Sequence, residues 1–243
     1  MVLSQSGVRL SEELISLLVP EGKGFISITG GGGKTTLMSL LAAEAKARSL
    51  SVLITTTTKV ASPYLHDYKA DRIFDSEAVL GYKPERREIV FYAEHHTLDM
   101  KKWVAPREEV LTALASLYDI IIAEADGSRG LPLKIHTSRD PVIHPLTTAT
   151  VAVMGTWGIG EKAFFSVFGE ERDCLVDQSY LQEFIESPEG LLKGMQGHSA
   201  VVFNGAEECS SEELSLLSTL SIPVPVAVFA ASEKEDSIIK RIR

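Results

Sequence analysis

The sequence predicts an α/β protein with three layers, α/β/α, built on a mostly parallel sheet. Two observations carry that reading. Short apolar, β-branched runs alternate along the chain with longer runs of helical periodicity. One such run, Asp119-Ile120-Ile121-Ile122-Ala123, is apolar in every position after its aspartate, as a central strand covered on both faces must be. The 243 residues, 44% of them hydrophobic, suffice for one domain over 1–243 with a small elaboration around 61–105.

Taken in order, Leu14, Ile15, Leu17 and Leu18 form the apolar face of a short helix behind Ser11. Residues 25–29 are the first core strand, and glycines follow at once. A helix over 35–48 places Leu37, Leu40, Leu41 and Ala45 inward. Residues 51–56 form a second strand that runs into Thr55-Thr56-Thr57-Thr58-Lys59. The stretch 61–99 is less regular, with 72–74 and 88–92 as an edge pair of strands. Pro106 suits the first turn of a helix whose inward positions are Val110, Leu111, Leu114 and Leu117. Residues 119–123 and 150–154 are further strands, 177–186 a helix, and 200–203 and 224–229 the last strands, flanking a helix near 211–220.

Charge and cysteine usage exclude several classes. With 24 basic against 33 acidic residues the net charge is −9, so a general nucleic-acid or anionic-membrane surface is not expected. The basic run Lys83-Pro84-Glu85-Arg86-Arg87 reads as a solvated loop. Cys174 and Cys209 form no C-x-x-C pair, which excludes a zinc ribbon or disulfide framework. The first residues lack a charged segment followed by a long apolar run, and no apolar stretch approaches the ~20 residues that span a bilayer. The expected location is cytoplasmic.

The segment Gly30-Gly31-Gly32-Gly33-Lys34-Thr35-Thr36, between strand and helix, has the order that a phosphate cradle requires. Glycines let backbone N–H groups converge on phosphate oxygens, and the helix start adds unpaired N–H groups and the positive end of its dipole. Lys34 is then expected to bridge the β- and γ-phosphates of ATP or GTP, Thr35 to ligate Mg²⁺, and Thr36 to touch the α-phosphate. The standard G-x-x-x-x-G-K-[ST] spacing would need glycine at position 28, where Ile28 stands. The loop is a shorter form, similar to that of Mur-type peptide ligases, and lacks the extra lysine of ParA-like ATPases. These features specify the fold further as P-loop NTPase-like.

Such a site needs an acidic group at the end of a neighbouring strand. Glu124-Ala125-Asp126 follows the isoleucine run, and period-2 alternation puts Glu124 and Asp126 on one side, as candidate catalytic residues and Mg²⁺ ligands. Thr57 and Lys59, at the end of the second strand, are candidate contacts to the γ-phosphate or to a second substrate. Arg129 and Lys134 are candidate grips for an anionic substrate, and His136 and His144 stand nearby as ligands, bases or plain structural residues. Asn204-Gly205-Ala206-Glu207 resembles the N-K-x-D signature that reads guanine, with Asn204 and Glu207 toward the base and Gly205 in place of its lysine.

Three segments together, 28–37, 55–59 and Glu124-Ala125-Asp126-Gly127-Ser128-Arg129-Gly130-Leu131-Pro132-Leu133-Lys134, resemble the YqeC family. Its members are described as accessory proteins of selenium-dependent hydroxylases or of selenium-cofactor biosynthesis. The resemblance implies a P-loop fold and a role in maturing selenium-dependent molybdenum hydroxylases, with the hydroxylase or its cofactor as partner. Two other functions fit the residues: a small-molecule kinase or acyl-phosphate ligase with a Mur-like loop, and a nucleotide-gated metallochaperone without catalysis.

Overall fold

The computed structural model describes residues 8–96 and 101–243. Helix α1 (Leu10–Leu18) precedes strand β1 (Gly24–Gly30), helix α2 (Lys34–Ala47) and strand β2 (Val52–Thr56). Five short strands follow: β3 (Lys59–Ala61), β4 (Arg72–Phe74), β5 (Ile89–Tyr92), β6 (His95–His96) and β7 (Lys102–Val104). Then come α3 (Glu108–Leu114), β8 (Ile120–Glu124), β9 (Leu133–Lys134), β10 (Ala149–Gly155), α4 (Ala163–Ser166) and β11 (Val167–Phe168). The chain closes with α5 (Gln178–Glu186), β12 (His198–Asn204), α6 (Ser211–Thr219), β13 (Ala227–Ser232) and β14 (Ser237–Arg241).

The nine-stranded central sheet has the order β14-β13-β12-β10-β1-β8-β2-β5-β4. Every pairing is parallel except that of β13 with β14. Alternate residues serve opposite faces. Ile26 and Ile28 of β1, Ile120 and Ile122 of β8, and Val151 and Val153 of β10 join α1 and α2 in one core. Phe25, Ile121 and Ala123 turn the other way toward α3, and Ala152, Met154, Val201 and Phe203 toward α5 and α6. Burial on both faces accounts for the unbroken isoleucine run.

The elaboration is a three-stranded antiparallel sheet, β3-β7-β6. It packs onto the main core through Val60 and Trp103, whose ring meets Phe91 edge-on at 5.6 Å. The expected edge pair is present as β4 and β5, in parallel.

Several expected positions shift, each for a local reason. In α2 the buried residues include Met38 and Ala42, while Leu40 is only partly covered. Helix α3 ends at Leu114, which leaves Leu117 40% exposed rather than inward. The strand expected at 224–229 begins at Ala227, because Pro223 and Pro225 have no N–H for a ladder. Beyond it lies β14, a short edge strand whose adjacent isoleucines give no apolar–polar alternation. Ser11 is not a cap but a residue inside α1, whose N-cap is Arg9.

The cap comes from the far end of the chain. Asp236, in the turn between β13 and β14, accepts from Ser11 N–H at 2.8 Å and from the Ser11 hydroxyl at 2.7 Å. Losing a helix cap costs about 1–2 kcal/mol. Asp236→Ala is therefore expected to lower the unfolding free energy from urea titration by that amount, seen as a fall in midpoint at unchanged m, and Asp236→Asn, which keeps one acceptor, by less. An unchanged midpoint for Asp236→Ala would remove this cap from the stability of the fold.

Candidate functional site

Parallel strands bring their C-terminal ends to one edge of the sheet, where α/β proteins place their ligands. Gly30, Thr56, Glu124, Gly155, Asn204 and Ser232 all end strands there. Ile28 pairs in register with Glu124 on one side and Val151 on the other, so the loop after β1 sits between the acidic strand end and the end of β10.

The loop is walled by backbone. Gly31 N–H donates to Val153 O at 2.9 Å and Gly32 N–H to Leu131 O at 3.1 Å. Gly32 has φ +68°, and a Cβ there would lie 2.3 Å from Gly155 N. Gly33 has φ +130°, and its Cβ would meet the Glu233 carboxyl at 2.2 Å and the Asn204 amide at 2.4 Å. No other residue type fits these two positions. The N–H groups of Gly33, Lys34 and Thr35 lie at the helix start, where α2 has no carbonyl of its own to offer them.

Lys34 is buried, and its ammonium donates to Gly30 O at 2.5 Å. It stands 3.0 Å from Asp126 and 3.8 Å from Glu124. Asp126 is fully buried and accepts from Gly30 N–H at 2.8 Å. His136 Nε2 faces the same oxygen at 2.7 Å, while its Nδ1 faces Gly190 O at 3.0 Å. Burial alone would raise the Asp126 carboxyl, but Lys34, His136, Lys134 and the Gly30 N–H outweigh it and bring it down to about 2. Glu124 goes the other way. Burial pushes its carboxyl up, and Asp126 adds to the rise against the pull of Lys34. Thr35 donates its hydroxyl to Glu124 at 3.3 Å.

The structure thus brings Lys34, Thr35, Glu124 and Asp126 together, and it gives other expected residues different surroundings. The Asn204 side chain donates to Gly32 O at 2.8 Å and accepts from Glu233 N–H at 3.0 Å, so it braces the loop. Thr57 donates its hydroxyl to Val142 O at 2.6 Å. Lys134 is 1% exposed, with its ammonium bonded to Gly127 O and Asp140. Arg129 is exposed and lies over the Phe168 ring at 5.2 Å. His144 is stacked on Phe25 at 4.8 Å, a structural placement. Cys174 and Cys209 are free thiols. Among the described residues no helix is long and apolar enough to cross a membrane.

Two cavities flank the centre. One of 580 Å³ is lined by Thr36, Trp157, Asn204, Glu207, Glu233 and Lys234, among others. The other, of 370 Å³, lies beside Asp126 and is lined by Thr58, Lys59, Thr137, Arg139 and Asp140. Sequence reasoning missed Trp157 and Glu233. Glu233 follows β13 directly, but that strand ends at Ser232 rather than at the expected 229, so no expected strand end pointed to it.

The fold and this edge define an α/β protein with a glycine loop at the carboxyl end of its central strand and a buried lysine–carboxylate cluster beneath it. Residues 26–167 match the model of the family described as YqeC protein. The chain is also 31% identical over 201 residues to an uncharacterized protein YqeC of Escherichia coli strain K12, covering 76% of this chain and 77% of that one. It belongs to the YqeC family. No solved structure matches it.

Glu233 is 2% exposed, with neither carboxyl oxygen partnered. Burial raises it well above the ordinary carboxylate range, Glu207 adds to the rise, and Lys34 opposes it. The folded protein therefore holds a proton here that the unfolded chain releases near pH 4–5, and stability falls as pH rises above that point. Glu233→Gln removes the linkage. It is expected to raise Tm more at pH 8 than at pH 5, by ~2–4 °C for each kcal/mol recovered. Equal shifts at both pH values in calorimetric scans would contradict a buried neutral Glu233.

Proposed function

We propose that the chain binds a Mg²⁺–nucleoside triphosphate at the 30–36 loop and hydrolyses it, as an accessory factor for a selenium-dependent molybdenum hydroxylase. The observation that carries the nucleotide part is the meeting of Lys34, Thr35 and Glu124 at the start of α2. The partner comes from the family resemblance, and stimulation of turnover by an apo-hydroxylase tests it.

The donor set fits Mg²⁺. Adjacent ligands of an octahedral cation with bonds of ~2.1 Å stand about 3 Å apart. Thr35 and Glu124, 3.3 Å apart, match that spacing with hard oxygen donors. Asp126 is turned instead toward Lys34, Gly30 and His136, so its role is to hold the lysine and the loop. Bound Mg²⁺ supplies charge neutralisation for the terminal phosphates.

The rest of the work falls to the chain. The N–H groups of Gly33, Lys34 and Thr35 receive phosphate oxygens, and Lys34 adds a full positive charge there. Glu124, beside Thr35 at the end of β8, is placed to hold the ion and to orient an attacking water.

A second reading, phosphoryl transfer to a small acid, is favoured by the 370 Å³ cavity with Lys59 and Arg139 on its rim beside Asp126. Turnover that rises with added small carboxylic acids, rather than with an apo-hydroxylase, would select it.

Lys34→Ala is expected to abolish Mg²⁺–nucleotide binding by titration calorimetry, and unchanged affinity would sink the proposal. Glu124→Gln is expected to retain binding within about tenfold, ~1.4 kcal/mol, while turnover falls ~10²-fold, since phosphoryl transfer asks mainly for positioning and charge. Parental turnover in Glu124→Gln at saturating Mg²⁺ would move the catalytic carboxylate elsewhere.

A further inference from the structure

The 580 Å³ cavity begins at Thr36, two residues past Lys34, and runs under the ends of β12 and β13. That volume suits a small organic ligand. Beside the neutral Glu233, its walls carry Glu207, Glu208 and Glu213 against one lysine, Lys234. A phosphate chain would be repelled there, so the cavity suits a neutral group that offers hydrogen-bond donors.

Two acceptors are left without partners for such donors. Glu233 is buried with both oxygens unpaired, and the buried Oε2 of Glu207 is also unpaired. Buried polar groups without partners are rare, and each calls for an explanation.

The opposite requirement, a flat apolar surface, is met by Trp157. It is 49% exposed, and its ring covers two glycines. A Cβ on Gly155 would lie 2.6 Å from the indole, and one on Gly205 3.0 Å. Gly205 stands where the N-K-x-D signature has a lysine packed over the base. Here the absence of that side chain leaves room for the tryptophan.

We propose that this cavity holds a guanine nucleoside, with the Trp157 indole as platform for the base and the Glu207 carboxylate as acceptor for its N–H donors. Guanine presents N1–H and N2–H₂ side by side, which an acceptor-only carboxylate matches. Adenine presents an acceptor at N1 beside its amine, so one of the two bonds is lost. Glu233, nearest the loop, faces the sugar side of the ligand. The inference rests on the reading of the 30–36 loop as a triphosphate site, and it names the nucleotide as GTP.

The chain has two tryptophans. Trp103 is 1% exposed and lies in the core, so a fluorescence change on ligand addition reports Trp157. Mg²⁺–GTP is expected to quench that emission, and to bind at least tenfold more tightly than Mg²⁺–ATP. Trp157→Ala is expected to weaken GTP by about tenfold or more, as loss of a stacking surface does. Trp157→Phe keeps a ring and is expected to stay within about threefold, which separates platform loss from misfolding. Glu207→Gln is expected to bring GTP and ATP within about threefold of each other.

Equal affinity for GTP and ATP in the unaltered protein would overturn the inference. So would unchanged GTP affinity in Trp157→Ala while Lys34→Ala abolishes binding, a result that leaves the loop reading standing. GTP affinity lost in Trp157→Ala but intact in Lys34→Ala would uphold the nucleoside cavity and overturn the loop reading. Failure of both nucleotides to bind would overturn both.

Discussion

The architecture around the glycine loop depends on one buried contact, that of the Lys34 ammonium with Asp126. A lysine 4% exposed and an aspartate fully buried are costly to remove from water, and their attraction alone need not compensate. What balances the cost is the number of groups sharing the two charges. Gly30 O takes the lysine, and the Gly30 N–H and His136 take the aspartate. Gly30 is thus gripped at both its backbone polar atoms, so the loop leaves β1 in a fixed direction. Breaking such a buried pair by removing one partner costs about 3–5 kcal/mol, far more than the pair contributes net. The contact is therefore a specificity device for the loop conformation more than a source of stability.

That fixed exit explains why carboxylates two residues apart behave so differently. Asp126 lies under the loop, among cations and N–H donors, and stays ionised. Glu124 lies at the end of its strand with one cation at 3.8 Å and a like charge beside it, and burial wins. The environment, not the residue type, separates the two carboxyls. The same logic applies on the far side of the loop. Glu233 has no hydrogen-bond partner for its oxygens and is held neutral where it sits against Gly33.

Much of this was legible in the sequence, because its signals are local. A strand, four glycines, Lys-Thr-Thr and a helix are contiguous, and the isoleucine run ends in its own acids. The parallel sheet followed from alternation, and α5 and α6 fall within the helices expected over 177–186 and near 211–220. The remainder was illegible for a physical reason. Trp157 matters only because two glycines, 155 and 205, meet across a parallel strand pair, and Glu233 because its strand ends beside Gly33. Lys134 looked free because Asp140, six residues on, gives no periodic sign of folding back onto it. Convergence of strand ends over such separations has no signature in any one window of sequence. An edge strand such as β14 fails for another reason, since its adjacent Ile238 and Ile239 are both half-buried against different cores and show no alternation to read.

The walls around the loop also carry an order in time. The loop itself spans 30–36, but the groups that enclose it arrive at Glu124 and Asp126, then Leu131 and Pro132, Gly155, Asn204 and finally Glu233. During synthesis on the ribosome the glycine-rich turn therefore emerges about two hundred residues before its last wall. Until Asp126 follows, Lys34 has no buried counter-ion; until Asn204 and Glu233 follow, Gly32 and Gly33 lack their outer brace. A chain that grows at ~5–20 residues per second leaves this interval open for ten seconds or more. The loop precedes all of its walls in the chain, so a ligand meets the site fully formed only after Glu233 has emerged.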